Sequence, residues 1–123
     1  MLYIAIGGAI GSVLRYLTTI LVSKYYPEIS GLKFPLATFI VNIVGCFLIG
    51  LFIGILAKNH LTDSNLKWFL VTGFCGGFTT FSAFGMENYT LFQSNNSLLA
   101  FGYIALSIML GLFAVWFGLF LSK

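Results

Sequence analysis

The chain has 123 residues, of which 59% are hydrophobic and only 7% are charged, and its formal net charge is +3. An average soluble domain has about 25% charged residues, so six basic and three acidic side chains are too few to cover a soluble surface. The basic residues form no stripe, which argues against a nucleic-acid footprint. The composition therefore predicts one small domain, residues 1–123, with most of its surface in lipid.

Four apolar segments follow one another along the chain, and short polar stretches separate them. Each segment is long enough to cross about 30 Å of hydrocarbon as a helix. The first segment lacks a basic leader region, and Arg15 interrupts its apolar run, so we interpret it as a retained span. We expect an all-α, multi-pass protein of the cell membrane, such as a bacterial inner membrane. The predicted spans are 3–22, 35–57, 68–89 and 98–121.

The lysines around these spans give almost no orientation signal. An even number of spans puts both termini on one side, together with Lys58, Lys67 and Lys123. The opposite side carries Lys24 and Lys33, in the loop Ser23–Phe34. Because an excess of Lys and Arg sets membrane orientation, three against two leaves open both a fixed and a dual topology.

The third segment contains an unusual run of small and hydroxyl residues, in which the pair Gly76-Gly77 is followed after Phe78 by Thr79-Thr80. Such a run favours helix poorly, and a helix break in a membrane is tolerated where protein or a water-filled cavity satisfies the backbone. Carbonyls freed by a break can bind a cation. Close helix packing through the glycines is the alternative.

Two phenylalanines and one asparagine are candidates for an anion path. Phe81 and Phe84 lie three residues apart on one helix face, and aromatic ring edges carry positive partial charge. Asn42 lies deep in the second segment, one turn after Thr38, and its amide could donate to an anion. Lipid-facing or core phenylalanines, and a helix–helix hydrogen bond from Asn42, remain as alternatives.

The other polar residues of the spans are few. Arg15 is the only charge well inside the first segment and could attract anions or extend to the interface. Glu87 lies near the end of the third segment, at the surface or at the end of a polar path. In the fourth segment Tyr103, Ser107 and Gly111 recur every fourth position, as a line of two hydroxyls and a gap or as a packing face.

No arrangement of residues predicts an enzyme or a side-chain metal site. Cys46 and Cys75 lie in apolar surroundings and are interpreted as small hydrophobes. No His/Asp/Glu group has the spacing of metal ligands. Two further classes of function remain as rivals, a structural assembly subunit and a small dual-topology multidrug exporter. The exporter needs a carboxylate in its first span, where this chain has Arg15 and no acid.

Together these motifs resemble those of the Fluc (CrcB-like) fluoride channels, and the resemblance covers all four segments in order. The third motif is the most specific. The matching stretches are Gly7-Gly8-Ala9-Ile10-Gly11-Ser12-Val13-Leu14-Arg15-Tyr16, then Thr38, Asn42 and Gly45, and finally residues 73–84.

The resemblance implies a passive fluoride-export channel formed by two antiparallel copies of the chain. The broken third helices would cross at the centre and bind a structural sodium ion through the backbone carbonyls of Gly76 and Thr79. Two pores would run along the interface. The implied fluoride path contains Thr38, Asn42, Thr80, Phe81, Ser82, Phe84, Tyr103 and Ser107, with Arg15 and Glu87 at its vestibule.

Overall fold

The computed structural model describes residues 1–26 and 34–123, and every regular element in these ranges is helical. Most of the predicted first loop, Ser23–Phe34, therefore lies outside the described residues. Helix α1 spans Leu2–Tyr25, α2 spans Leu36–Lys58, and the fourth apolar segment forms α5, Ser97–Leu121. Among the described residues, four helical stretches are long and apolar enough to cross a membrane. The chain is thus an all-α, multi-pass membrane protein.

The third span, Asn65–Gln93, is broken in the middle. Its first half, α3, covers residues 65–78 and contains a π-helical stretch at Trp68–Cys75. Thr79 and Thr80 then take extended dihedral angles, and the second half, α4, resumes at Phe81–Gln93. The break predicted in this segment is confirmed. It follows the glycine pair rather than occurring within it, since Gly76 keeps helical angles (φ −63°, ψ −36°).

The ends of α2 and α4 have the same local geometry. After α2, the Leu61 amide donates to the Leu56 carbonyl over 2.8 Å, and His60 has a positive φ of 57°. After α4, Asn95 has a φ of 62°. This is the pattern that satisfies the last carbonyls of a helix with one left-handed residue, usually glycine. His60 is exposed at this turn, in agreement with a loop residue in water.

Glycines let the helices pack in two close pairs. A Cβ atom on Gly7 of α1 would lie 3.2 Å from the Gly73 Cα of α3. Gly77 packs in the same way, because its Cβ would lie 3.1 Å from the Gly8 Cα. Gly76 has open space around it. The glycine pair at the end of α3 therefore has two roles: Gly77 permits packing on α1, and Gly76 borders an open region.

Helices α2 and α5 form the second pair and run parallel. A Cβ on Gly118 of α5 would lie 2.7 Å from the Leu51 amide nitrogen of α2. Between these helices and α4 lies the best-buried part of the chain, where Tyr103 has no exposed surface. Most other large apolar side chains on the helices are exposed, as expected for surfaces that face lipid.

Replacing Gly118 by alanine tests this packing. The added methyl group would collide with the α2 backbone and separate the two helices, so we expect a loss of stability of about 1–3 kcal/mol. The unfolding midpoint of the purified protein in detergent should fall, as followed by tryptophan fluorescence. Gly102→Ala is the matched control, because Gly102 lies on the same helix and has nothing within 4 Å. Equal midpoints for the two variants would contradict close α2–α5 packing.

Candidate functional site

The helix break is stabilised by the side chain of Asn42. Its Nδ2 donates to the Thr80 carbonyl over 3.3 Å, and its Oδ1 accepts from the Thr80 amide over 2.9 Å. A primary amide thus pairs with both backbone groups of one residue, as a neighbouring β-strand would. These two bonds satisfy backbone groups that the break exposes, which is necessary in a low-dielectric environment.

The threonines at the break complete this arrangement. The Thr79 hydroxyl donates to the Cys75 carbonyl over 2.9 Å, which closes the end of α3. Thr80 is the N-cap of α4, and its Oγ1 accepts from the Ala83 amide over 3.3 Å. A hydroxyl at this position satisfies one of the free amides at the start of a helix. The Ser82 hydroxyl lies 3.2 Å from the Thr80 hydroxyl.

These side-chain bonds release two backbone carbonyls. In an unbroken α-helix the Thr80 amide would donate to the Gly76 carbonyl, and the Ala83 amide to the Thr79 carbonyl. Here the Thr80 amide donates to Asn42 and the Ala83 amide donates to the Thr80 hydroxyl. The two carbonyls predicted as cation ligands have therefore lost their helical donors.

The released carbonyl oxygens are candidate ligands for a metal ion near the break. Within residues 1–26 and 34–123, no group of three or more His, Cys, Asp or Glu side chains could hold a metal ion. Backbone carbonyl oxygens are hard ligands, which suit a hard cation such as an alkali metal ion. The donor chemistry at Gly76 and Thr79 therefore fits a sodium ion.

Glu87 connects three helices. Its Oε2 accepts from the Thr38 hydroxyl of α2 over 2.7 Å, and its Oε1 accepts from the Tyr103 hydroxyl of α5 over 3.1 Å. The Tyr103 ring packs against Phe34, Phe39 and Phe84. Glu87 is thus half-buried in a polar network rather than free at the surface, and it lies beside the predicted path.

Phe81 and Phe84 differ sharply in their surroundings. Their ring centroids lie 6.0 Å apart, at an interplanar angle of 38°. Phe84 packs on Tyr103, with 5.0 Å between centroids, whereas Phe81 is 83% exposed. One ring is fixed by the core of this chain, and the other extends away from it.

A cavity of about 470 Å³ brings most of the predicted residues together beside the break. It is open to the outside of the chain. The hydroxyl of Ser107 is buried here and has no hydrogen-bond partner in the described residues. The predicted residues that line this cavity are Asn42, Gly76, Thr79, Thr80, Phe81, Phe84 and Ser107.

A second cavity of about 220 Å³ lies on the other side of Thr80. Arg15 and Thr38 line it, together with Ser12 and Thr19. Thr80 contributes to both cavities. The predicted residues therefore do not form one site: Arg15 and Ser107 line different cavities that share Thr80, and Ser82, Glu87 and Tyr103 line neither.

The lining residues that were not predicted as functional include both cysteines of the chain. Cys46 and Cys75 both line the larger cavity, and neither forms a disulfide. The sequence does contain a signal for Cys46, because it lies four residues after Asn42 and so on the same face of α2. Because its neighbours in the sequence are apolar, Cys46 was interpreted as a small hydrophobe instead.

Comparisons with known proteins place these features in a family. The model of the family described as "CrcB-like protein, Camphor Resistance (CrcB)" matches residues 2–119. A relative from Flavobacterium psychrophilum is 57% identical over 98% of this chain and 94% of its own length. A relative from Campylobacter fetus is 50% identical over 98% and 91%, respectively. Both are named "Fluoride-specific ion channel FluC".

Replacing Asn42 by alanine tests its role at the break. Loss of both bonds leaves the Thr80 amide without a partner, so we expect its hydrogen exchange to accelerate by about tenfold or more. The measurement is amide exchange by NMR on protein labelled with ¹⁵N-threonine. Asn59→Ala is the matched control, since the Asn59 side chain donates to the Ile55 carbonyl one turn earlier at the end of α2, away from the break. An unchanged exchange rate at Thr80 in Asn42→Ala would show that other contacts hold the break.

Proposed function

We propose that this chain, which belongs to the CrcB-like family, is a passive channel through which fluoride leaves the cell. Its relatives carry the name of fluoride-specific ion channels. The observation that carries the proposal is the larger cavity, where hydrogen-bond donors and phenylalanine rings meet beside a helix break. No charged side chain is among the residues that line it.

The chemistry of fluoride fits such a lining. Fluoride is small and strongly hydrated, so a pore has to replace its water with other donors. Amide and hydroxyl hydrogens are donors of this kind, and positive ring edges add attraction without a fixed charge. A lining without fixed cations would let the ion leave as readily as it enters. The membrane potential, negative inside, then drives the anion outward without a pump.

The donors along the path differ in how free they are. Asn42 uses one of its two amide hydrogens on Thr80, which leaves the second for an ion. The buried Ser107 hydroxyl has no partner in the described residues and is the donor most ready to receive fluoride. The Tyr103 hydroxyl is committed to Glu87, so fluoride at that level has to displace the carboxylate.

A single copy of the chain does not close the path. The larger cavity is open on one side, and the Phe81 ring that borders it is 83% exposed. We propose that a second copy in antiparallel orientation covers this side. One side of the membrane would carry three lysines and the other side two. Because this difference is small, the same sequence can insert in either orientation. Each copy then contributes one cavity, which makes two pores per dimer.

The released carbonyls support a structural sodium ion at the centre of that dimer. Gly76 and Thr79 would supply two oxygens from each chain, or four in all. A cation held by backbone oxygens would neutralise the partial negative charge that collects where the carbonyls of α3 end. Its contribution would be to hold the two breaks together.

The multidrug-exporter alternative finds no support at this site. The carboxylate in the spans that could couple protons is Glu87, in the third span, and it is held by Thr38 and Tyr103. No residue of α1 could replace it, because α1 contains no acid. The names of the relatives also point to an ion channel.

Fluoride efflux tests the proposed function directly. Liposomes loaded with potassium fluoride and containing the wild-type protein should release fluoride rapidly when valinomycin removes the charge imbalance. Chloride-loaded liposomes should retain their anion. Phe81→Ile removes one polar ring edge from the path, so we expect efflux to slow by about tenfold or more while the dimer stays intact.

Phe113→Ile is the matched control for that substitution, because Phe113 is also an exposed phenylalanine but lies on α5 away from the break. It should conduct like the wild type. A wild-type rate no greater than that of protein-free liposomes would refute the channel. Wild-type efflux in Phe81→Ile would place the path elsewhere.

Protease protection tests the dual topology. A protease-sensitive epitope tag at the N-terminus should be cleaved in about half of the molecules, both in right-side-out and in inside-out vesicles. Adding lysines to one side should shift the distribution toward a single orientation. Cleavage confined to one type of vesicle would show a fixed topology and exclude an antiparallel homodimer.

A further inference from the structure

Helices α2 and α5 lie in a fixed parallel register that pairs their polar positions. Cys46 faces Gly111 and Gly50 faces Val115, an offset of 65 residues in each pair, whereas Gly54, nearer the end of α2, lies closest to Ser122. Polar residues on both helices recur every fourth position, which corresponds to a rise of about 6 Å. Each α2 residue of this kind and the α5 residue 65 positions later thus form a pair, which we call a level. Successive levels follow one another along the two helices.

The first two levels contain donors from both helices. Thr38 and Tyr103 have the offset of 65 and both donate to Glu87. Asn42 and Ser107 have the same offset and line the larger cavity together. At the third level the α5 position is Gly111, which has no side chain to donate.

Cys46 occupies the space at this third level. Its Sγ would lie 3.5 Å from a Cβ built on Gly111, and no other atom outside α5 comes within 4 Å of that position in residues 1–26 and 34–123. Cys46 also lines the larger cavity, on the same helix face as Asn42. The thiol is thus in ordinary contact distance of the position on α5 that has no side chain. A thiol is a weak hydrogen-bond donor.

We propose that the Cys46 thiol is the donor at the third level of the ion path, where α5 has Gly111 and supplies no hydroxyl. This inference rests on the proposed function, and it deepens it by naming a residue that lines the path. Beyond this level the pair is Gly50 and Val115, neither of which has a side-chain donor. The donor line therefore ends at Cys46, and the ion passes from this thiol to water or to groups of the partner copy.

The chemical nature of the side chain, rather than its size, should determine the rate. Cys46→Ala and Cys46→Val both remove the donor, and valine also fills the space, so both should slow fluoride efflux by about threefold or more. Cys46→Ser keeps a donor and should conduct at least as fast as the wild type. In Cys46→Ala/Gly111→Ser the new serine on α5 supplies a hydroxyl at the same level, so the rate should recover to within about twofold of the wild type.

Controls separate this role from packing. Val44→Ala changes an exposed side chain on the same helix and should leave the rate unchanged. Every variant is first shown to be dimeric by gel filtration. A wild-type rate in Cys46→Ala, or slow efflux in both Cys46→Ser and the double variant, would overturn the inference while the channel itself stands. A wild-type protein that releases no fluoride would overturn the proposed function, and this inference with it.

A thiol-specific block gives a second readout. In Cys75→Ser, Cys46 is the sole remaining cysteine, and mercuric ion should stop fluoride efflux by binding in the path. The same ion should have no effect on Cys46→Ser/Cys75→Ser. Efflux from Cys75→Ser that continues at its full rate in mercuric ion would contradict a path along this thiol.

Discussion

The pairing between the Asn42 amide and the Thr80 backbone is the interaction on which the site depends. A break in a membrane helix exposes backbone groups that neither lipid nor the helix itself can satisfy. Asn42 satisfies two of them at once. This lets the chain leave α3 through two extended residues, Thr79 and Thr80, and begin α4 at Phe81. The released carbonyls, the N-cap at Thr80 and the positions of Phe81 and Phe84 all follow from that turn.

Much of the fold could be predicted from composition and segment length. The four spans follow from the low charge and the apolar runs, and the break follows from the glycine and threonine run in the third span. The position of the break could not be read locally, because Gly76 and Gly77 are compatible with a helix. It depends on Asn42, which is distant in sequence and reaches Thr80 only after α2 has packed beside α3.

Several predicted residues share a cavity, but the contacts between the predicted residues could not be predicted from the sequence. Asn42, Phe84 and Ser107 do meet in one cavity. The sequence did not indicate that Tyr103 is fully buried and bonded to Glu87, or that Arg15 lies in a separate cavity. These relations depend on which helix faces which, and helix periodicity alone does not contain that information. Cys46 was not predicted for the same reason, because its proposed role depends on the absence of a side chain at Gly111 of α5.

The parallel register of α2 and α5 has a consequence for how such a protein changes over evolutionary time. Where two helices face each other at a constant offset, the polar side chain of one level can stand on either helix. Selection then acts on the pair of positions, so a loss on one helix is tolerated once the other has gained a substitute. Positions 46 and 111 should therefore vary together among relatives, and neither column of an alignment alone would reveal that the level is constrained.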